Sequence, residues 1–355
     1  MIVKSLILQN FRSYKKATFD FNPQITVIVG PNAAGKTNLI ESLFLLATGK
    51  SFRSEKEKQL VYFGEAFCRV KGAIGIASQV DTETLEIVVT DKPGEMLRKK
   101  YLVNGVPRRR VDFAGKVPAV LFTPLDLDIV SGQPGVRRRF LDEVLEQLDL
   151  VYRQALTTYT KALRQRNALL NQVQETGVRD EKRFAYWDDL LIKNGGILTQ
   201  KREELIGYIN NREKKLFPFS LVYDKSVISE DRLAQYKHAE VGAGVTLVGP
   251  QRDDVLIQSL NSISKQMEDV KYFCSRGQQR LVTLELKLSQ ISLFKERLES
   301  DPILLLDDIF SELDSTHIGH VLQMMDRCQT ILTTTHKEFI ETVSLKKMDV
   351  IELGK

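Results

Sequence analysis

Roughly 240 residues separate two segments of this chain that are each suited to hold a phosphate. The first, Gly30-Pro31-Asn32-Ala33-Ala34-Gly35-Lys36-Thr37, follows the apolar run Ile25-Thr26-Val27-Ile28-Val29. It precedes Asn38 to Ala47, where Leu39, Ile40, Leu43, Phe44 and Leu46 recur at helical spacing. Strand, glycine-containing loop and helix in that order are what a phosphate-binding loop needs. Glycines let successive N–H groups turn inward, and the helix N-terminus favours negative charge. The second segment, Ser275-Arg276-Gly277-Gln278-Gln279, opens another helical stretch, Gln279 to Leu288. Beyond it, Ile303-Leu304-Leu305-Leu306 ends in Asp307-Asp308, which places two carboxylates at the C-terminal end of a buried parallel strand. A chain with these pieces at its two ends must build one nucleotide-binding core from distant segments around a large insertion.

The residue types assign roles. Lys36 pairs with the β and γ phosphates, Thr37 places its hydroxyl on Mg²⁺, and Asp307 holds the same ion directly or through water. Asp308 is the candidate general base that polarises the attacking water. Gly30, Pro31, Asn32, Ala33, Ala34, Gly35 and Asn38 complete the cradle, and ATP with Mg²⁺ are the expected cofactors.

Residues 1 to 30 read as alternating strands, and Phe67 to Val103 as short strands of a mixed sheet with a hairpin signal at Asn104-Gly105. From about residue 136 to 174 the apolar residues fall three or four apart, which predicts one long amphipathic helix interrupted only by Arg166 at an apolar place. Phe184, Trp187, Leu191 and Leu198 restart the pattern toward Ile209, so two antiparallel helices form a short arm that packs down as a domain. Val245-Thr246-Leu247-Val248 reads as a strand returning to the core. The expected division is a split core of residues 1–132 and 245–355, with a helical insertion at 133–244.

Composition removes other classes. The 355 residues are 43% apolar and 27% charged, an ordinary globular balance. Three cysteines, Cys68, Cys274 and Cys328, are widely spaced and form no Cys-x-x-Cys, which argues against a disulfide framework or zinc ribbon. The N-terminus lacks a charged leader with an apolar core, and no apolar run approaches the ~20 residues of a membrane span, so a cytoplasmic location is expected. The net charge of +5 is mild, but Lys99-Lys100, Arg108-Arg109-Arg110 and Arg137-Arg138-Arg139 concentrate it. The two arginine runs are candidates for tracking a DNA backbone.

Ser275-x-Gly277-Gln278 resembles the signature motif of ABC-type ATPases, and Ser311-Glu312-Leu313-Asp314 resembles their D-loop. Thr333-Thr334-Thr335-His336 resembles the strand that carries their switch histidine. Finer features resemble the RecF family of bacterial recombination-repair ATPases: Asn10-Phe11-Arg12-Ser13-Tyr14, Glu41-Ser42-Leu43 through Ser51-Phe52-Arg53, Pro134 to Asp142, Gly249 to Asp254, and Ser275 to Arg280. An Asp-Asp pair where most ABC ATPases have Asp-Glu is also similar to this family. The family usually carries His where Gln251 stands and an acidic residue where Leu125 stands, so no role is transferred to those positions; Asp126 and Gln133 are the candidates for a Q-loop residue.

The resemblance implies an α/β fold of the ABC/SMC-like P-loop type, with a sheet-containing lobe and a helical lobe. It implies a head-to-tail homodimer in which Ser275, Gly277 and Gln278 of one subunit read the γ-phosphate bound by the other's Lys36. His336 would sense that phosphate, Asp314 would couple the two sites, and Arg12 and Ser13 would join the nucleotide-binding set. The function implied is a weak Mg²⁺-dependent ATPase whose ATP-bound dimer clamps duplex DNA near single-strand gaps and helps load recombinase, with mediator partners of the RecO and RecR type. The alternative is an ABC-type ATPase acting on a protein or membrane-transport partner. The wide motif spacing and the length of the helical hairpin disfavour it.

Overall fold

The computed structural model describes residues 1–54, 56–76, 81–92, 94–261, 264–298, 300–309, 319, 325, 328–335 and 348–354. The chain divides into two compact units, residues 1–126 with 290–355, and residues 127–289.

The first unit holds two sheets. Strands β1 (Ile2–Phe11), β2 (Tyr14–Asp20), β4 (Phe67–Gly75), β5 (Thr82–Thr90), β6 (Arg98–Val103) and β7 (Val106–Arg108) form an antiparallel sheet in the order β2-β1-β4-β5-β6-β7. Strands β3 (Ile25–Val29), β8 (Ala119–Phe122), β12 (Ile303–Asp307), β13 (Thr330–Thr334) and β14 (Met348–Glu352) form a parallel sheet in the order β14-β3-β13-β12-β8. The mixed sheet expected from sequence is therefore two separate sheets of opposite type. Asn104 and Gly105 both have positive φ, 51° and 76°, as a two-residue hairpin between β6 and β7 requires.

Helix α1 (Lys36–Thr48) contributes Leu39, Ile40, Leu43, Phe44, Leu45 and Leu46 to one core with Leu6, Leu8, Val70 and Ile87 of the antiparallel sheet and Ile28, Leu305 and Ile331 of the parallel one. Each such buried side chain contributes roughly 1.5–3 kcal/mol relative to exposure. The sheets are also joined by the buried Gln329 side chain. Its Oε1 accepts from Val3 N–H at 2.8 Å and its Nε2 donates to Val3 C=O at 2.7 Å, copying the hydrogen bonds of a neighbouring strand. Short helix α2 (Arg110–Phe113) follows β7.

The second unit contains helices α3 (Asp128–Ser131), α4 (Pro134–Leu148), α5 (Leu150–Thr176), α6 (Glu181–Asn211), α7 (Glu230–Ala243) and α8 (Val270–Phe273). Its antiparallel sheet runs β11 (Met267–Asp269), β10 (Asp254–Leu260), β9 (Ser220–Asp224). Helix α9 (Arg276–Arg297) begins in this unit, and its last residues belong to the first.

Three sequence expectations are corrected here. The single helix over 136–174 is two, because Asp149 is extended and its carboxylate accepts from Val151 and Tyr152 N–H, capping a new helix. Arg166 does not interrupt an apolar seam by accident. It is fully buried, with Nε 2.5 Å from Asp188 and Nη1 2.7 Å from Glu240 and 2.9 Å from Thr246 Oγ1. Val245 to Val248 is not a strand: Thr246 N–H is held by the Asn167 side chain and Leu247 N–H by Glu240, so side chains of α5 and α7 replace ladder partners. The segment after 244 packs with the insertion rather than with the core, since β10 pairs with β9 and the compact unit extends to residue 289. All three cysteines are free thiols.

Candidate nucleotide-binding site

The parallel sheet explains why distant segments meet. Strands β3 and β12 flank β13, all three run the same way, and each is followed by a loop at its C-terminal end. One edge of the sheet therefore collects Gly30 after β3, Asp308 after β12 and Thr335 after β13.

In the loop after β3, Ala33 (φ 66°) and Gly35 (φ 102°) are both left-handed, which curls the backbone and turns its N–H groups toward the start of α1. A side chain at Gly35 would be strained by that φ and would also meet the Tyr14 hydroxyl at 2.8 Å. A Cβ at Gly30 would lie 2.8 Å from the Leu353 carbonyl. Lys36 is buried and lies along the loop, its Nζ donating to Gly30 C=O at 2.8 Å and Pro31 C=O at 3.0 Å. Beside the loop is a cleft of about 400 Å³ lined by Ser13, Tyr14, Pro31, Asn32, Ala33, Ala34 and Gly354, within the size of small-ligand sites.

Asp307 is the meeting point. Thr37 Oγ1 donates to its Oδ1 at 3.1 Å, and Thr333 Oγ1 donates to the same atom at 2.9 Å. Thr333 Oγ1 in turn accepts the Asp308 N–H at 3.0 Å. Burial pushes the Asp307 carboxyl above its ordinary range; the Thr333 and Thr37 hydroxyls and the Arg53 charge oppose the shift, and Asp308 adds to it. Asp308 itself sits at φ 52°, a conformation that Asp and Asn tolerate better than most residues.

The Thr37 hydroxyl and Asp307 carboxylate form a hard, all-oxygen pair at the phosphate loop, and this donor set fits Mg²⁺ completed by phosphate and water oxygens. Among the described residues no cluster of three or more His, Cys, Asp or Glu offers a metal cage of its own. A magnesium site shared with nucleotide needs none.

Several sequence candidates have other partners. Arg12 Nε and Nη2 grip the fully buried Glu41 at 2.8 and 2.6 Å, Nη1 donates to Gln59 C=O at 2.8 Å, and Nη2 also meets Ser54 Oγ. Its guanidinium thus braces α1 and the segment after it. Ser13 lines the cleft, and its Oγ accepts from Asn38 Nδ2 at 2.9 Å. Asp314 and His336 lie outside the described residues.

Sequence reasoning gave no role to Tyr14, Arg53 or Thr333. Tyr14 O–H donates to Gly35 C=O at 3.1 Å, and burial raises its pKa to about 12, so it stays a donor. Arg53 donates to Asn38 Oδ1 at 3.2 Å, and its charge reaches Asp307. The Arg53 signal was its place seventeen residues beyond Lys36; Thr333 could only be placed by the register of β12 with β13.

In the second unit, Ser275 stands immediately before α9 and forms a reciprocal cap with Gln278. Gln278 N–H donates to Ser275 Oγ at 3.3 Å, and Ser275 N–H to Gln278 Oε1 at 2.8 Å. The first-turn amides, including that of Gly277, belong to an exposed helix N-terminus. Buried Gln279 holds the preceding turn through Val270, Lys271 and Cys274 carbonyls at 3.3, 3.0 and 3.2 Å.

The basic runs are divided between inward and outward positions. Arg137 is buried with Nε and Nη2 on Asp254 at 2.7 and 2.9 Å, and Arg138 Nη1 donates to the Asp253 carbonyl at 2.6 Å, leaving only Arg139 of that run exposed. Lys99 turns inward to Glu57 at 2.8 Å. Burial lowers its pKa, and Glu57 offsets part of the shift. Arg108 and Arg109 are exposed, with Arg109 on Asp112 at 2.8 Å, while Arg110 Nη1 reaches Thr48 C=O at 3.3 Å. A run of arginines in sequence alternates inward and outward once placed on a helix or strand, so these runs do not act as undivided patches.

Parallel sheet, glycine loop, paired threonines on a buried aspartate and a separate serine-capped helix define a P-loop ATPase of the ABC-like, SMC-head class. Residues 2–352 match the family described as RecF/RecN/SMC N terminal domain. The chain belongs to the RecF family: it is 36% identical to the "DNA replication and repair protein RecF" of Shouchella clausii over 94% of this chain and 93% of that one. It is 34% identical to the protein of that name from Moorella thermoacetica over 99% and 95%. A solved structure titled as the recombination mediator protein RecF-ATPrS in the RecFOR pathway superposes with a TM-score of 0.85 at 28% identity, covering 99% of this chain and 96% of that one. The Smc head domain of Pyrococcus furiosus shares the fold at a TM-score of 0.53 and 17% identity, with 99% and 94% covered. Among the described residues no helix is long and apolar enough to cross a membrane.

One expected result follows from Asp307. Only the carboxylate can hold the metal, and its raised pKa means that protonation competes at higher pH than for a solvated Asp near 3.9. Without metal, the stability contribution of this group is present below that value and lost as pH rises through the raised folded pKa. Mg²⁺-dependent nucleotide binding should run the opposite way, falling on acidification at higher pH than it would with a solvated aspartate as the ligand. Calorimetric titration from neutral to acid pH checks this, and Thr333→Val, which removes an opposing hydrogen bond, should move the midpoint higher still.

Proposed function

We propose that this chain is an ATP-controlled DNA-binding protein of recombinational repair, in which nucleotide sets whether two copies hold duplex DNA. The observation that carries the proposal is the convergence of Thr37 and Thr333 on Asp307 beside the glycine loop, in a chain whose relatives at 34–36% identity are named as replication and repair proteins.

The loop amides and Lys36 would bind the phosphates, with Lys36 exchanging its contacts to the Gly30 and Pro31 carbonyls for phosphate oxygens. Thr37 and Asp307 would hold Mg²⁺, which supplies charge neutralisation between the phosphates when bound. Asp308 would accept the proton of the attacking water, and the Thr333 hydroxyl fixes its backbone relative to Asp307. The Ser275 hydroxyl and the Gly277 amide, oriented by the Gln278 cap, would read the γ-phosphate on a second copy, so that ATP favours the closed pair and hydrolysis favours release. Gapped duplex DNA, mediators of the RecO and RecR type, recombinase loading and a slow Mg²⁺-dependent turnover complete the proposal; the name and RecFOR context of the RecF-ATPrS structure support them.

Purified full-length chain titrated with fluorescent duplex DNA at fixed salt tests the proposal. Tight binding in ATP with Mg²⁺ and weak binding in ADP or without nucleotide is expected. Equal or absent binding in all three states would turn the reading toward an ATPase with a protein cargo.

A further inference from the structure

We infer that the outward face of the six-stranded antiparallel sheet is the surface that takes the phosphate backbone of duplex DNA. The inference rests on the DNA-binding reading above and specifies which face makes the contact.

An antiparallel sheet commonly packs one face on the core and leaves the other solvated. Here the inner face is apolar, with Leu8, Val70 and Ile87 in the core. The register assembles the other face. Lys16 stands opposite Gln9, Gln9 opposite Arg69, Arg69 opposite Val88 and Val88 opposite Lys100, one row across β2, β1, β4, β5 and β6. The next row on the same face carries Thr18, Ile7, Lys71, Glu86 and Leu102, and Arg98 stands opposite Thr90 on the other side of the first. Lys16, Arg69, Arg98 and Lys100 are exposed and Lys71 is half-exposed.

Against these five cations the face sets Glu86, which pairs with Arg69 at 3.0 Å, and Asp20 at the end of β2. Among the described residues Lys16, Lys71, Arg98 and Lys100 have no carboxylate partner. The array cannot be seen in the linear sequence, because its members come from three strands, β2, β4 and β6, and alternate with inward-facing residues such as Cys68, Val70 and Lys99.

The chemistry selects the occupant. With strands about 4.8 Å apart, Lys16, Arg69 and Lys100 are spaced by about 10 Å over a row about 19 Å wide. Duplex DNA presents about eleven phosphates over that length, both strands counted. Between the cations stand short hydrogen-bonding side chains, Gln9, Thr18 and Thr90, suited to phosphate and sugar oxygens. The one aromatic ring in the three rows, Phe67 opposite Thr90, is only half-exposed, so the face lacks the series of open rings on which successive single-stranded bases would stack.

The test uses full-length protein with Lys16→Gln, Lys71→Gln and Lys100→Gln combined, titrated with fluorescent duplex in ATP and Mg²⁺ over a salt series. The expected result is a slope of log Kobs against log[salt] shallower by about 3, one for each lysine, and Kd weakened about tenfold or more near 0.1 M salt. DNA-free ATPase activity and thermal midpoint should match wild type, and Lys100→Gln alone should shift the slope by about 1 should the triple variant not fold. An unchanged slope with wild-type protein binding duplex normally overturns the inference and leaves the DNA-binding reading in place. Failure of the wild type itself to bind duplex in any nucleotide state removes both. If polyglutamate binds the wild type and loses affinity in the variant while duplex affinity holds, the face serves an acidic protein and the inference is overturned.

Discussion

Asp308→Asn should bind ATP as the wild type does, lose about 10²–10⁴-fold in turnover, and remain on duplex DNA after the wild type has released it. The substitution suits the question because Asn tolerates the left-handed backbone at φ 52° as Asp does. The hydrogen bond between this residue and Thr333 uses the backbone N–H, which the variant keeps. What is lost is the carboxylate that can take a proton from water. Asp307, the proposed metal ligand, keeps its hydrogen bond from Thr37. Single-turnover hydrolysis of labelled ATP, followed beside DNA dissociation, reads both effects. Turnover within a fewfold of wild type would move the general base elsewhere, and slow turnover with prompt DNA release would separate hydrolysis from release.

The second large effect lies in the helical unit and concerns folding rather than chemistry. Arg202 is buried on α6, with Nη1 on Asp253 at 2.9 Å and on the Pro250 carbonyl at 2.8 Å, Nη2 on Asp142 at 2.8 Å and Nε on the Tyr152 hydroxyl at 3.1 Å. Asp253 also accepts from Ser226 N–H at 2.8 Å and from the Tyr223 hydroxyl. Burial alone would lower the Arg202 pKa, but Asp142 and its neighbours raise it well above the usual value, so the guanidinium is charged at every accessible pH. Arg202→Met would keep most of the volume and leave two carboxylates without their countercharge, at a cost of about 3–5 kcal/mol. For a unit of this size that corresponds to a fall of about 6–20 °C in its unfolding midpoint. Arg202→Lys, which keeps the charge without the planar fork, should fall between. A midpoint within a degree or two of wild type in calorimetry would show that the network is not the keystone of the unit.

The same residues show where sequence reasoning succeeds and where it fails. The order of strand, glycine loop and helix at residues 25–48 was legible because local spacing fixes it. So was the aspartate pair after Ile303–Leu306, because a fully apolar strand ending in two acids has few other uses. Gly249 to Asp254 was legible as a family feature, but its purpose was not. Asp253 and Asp254 anchor Arg202 and Arg137 from helices remote in sequence, and no local pattern announces that. The Asp149 cap was hidden by continuous apolar periodicity on both sides of it, although Asp is a favoured N-cap residue. The basic runs were legible as charge but not as surface, because local charge density says nothing about which side of an element each residue takes. Arg137 and Lys99 face carboxylates, and the exposed cations of the sheet are gathered only by strand register.

Strand order also governs when the chain can work during its own synthesis. The phosphate-loop strand β3 has β13 on one side and β14 on the other, and both are encoded about 300 residues after it. At ribosomal rates of about 5–20 residues per second, β3 and its glycine loop wait about 15–60 s for any sheet neighbour. In that interval the antiparallel sheet and the helical unit are complete in sequence, while Asp307, the proposed magnesium ligand, and both flanking strands are still being added. A nascent or prematurely terminated chain thus presents the loop motif without the strands that flank it, and the proposed nucleotide site is assembled only when nearly all of the chain described here has been made.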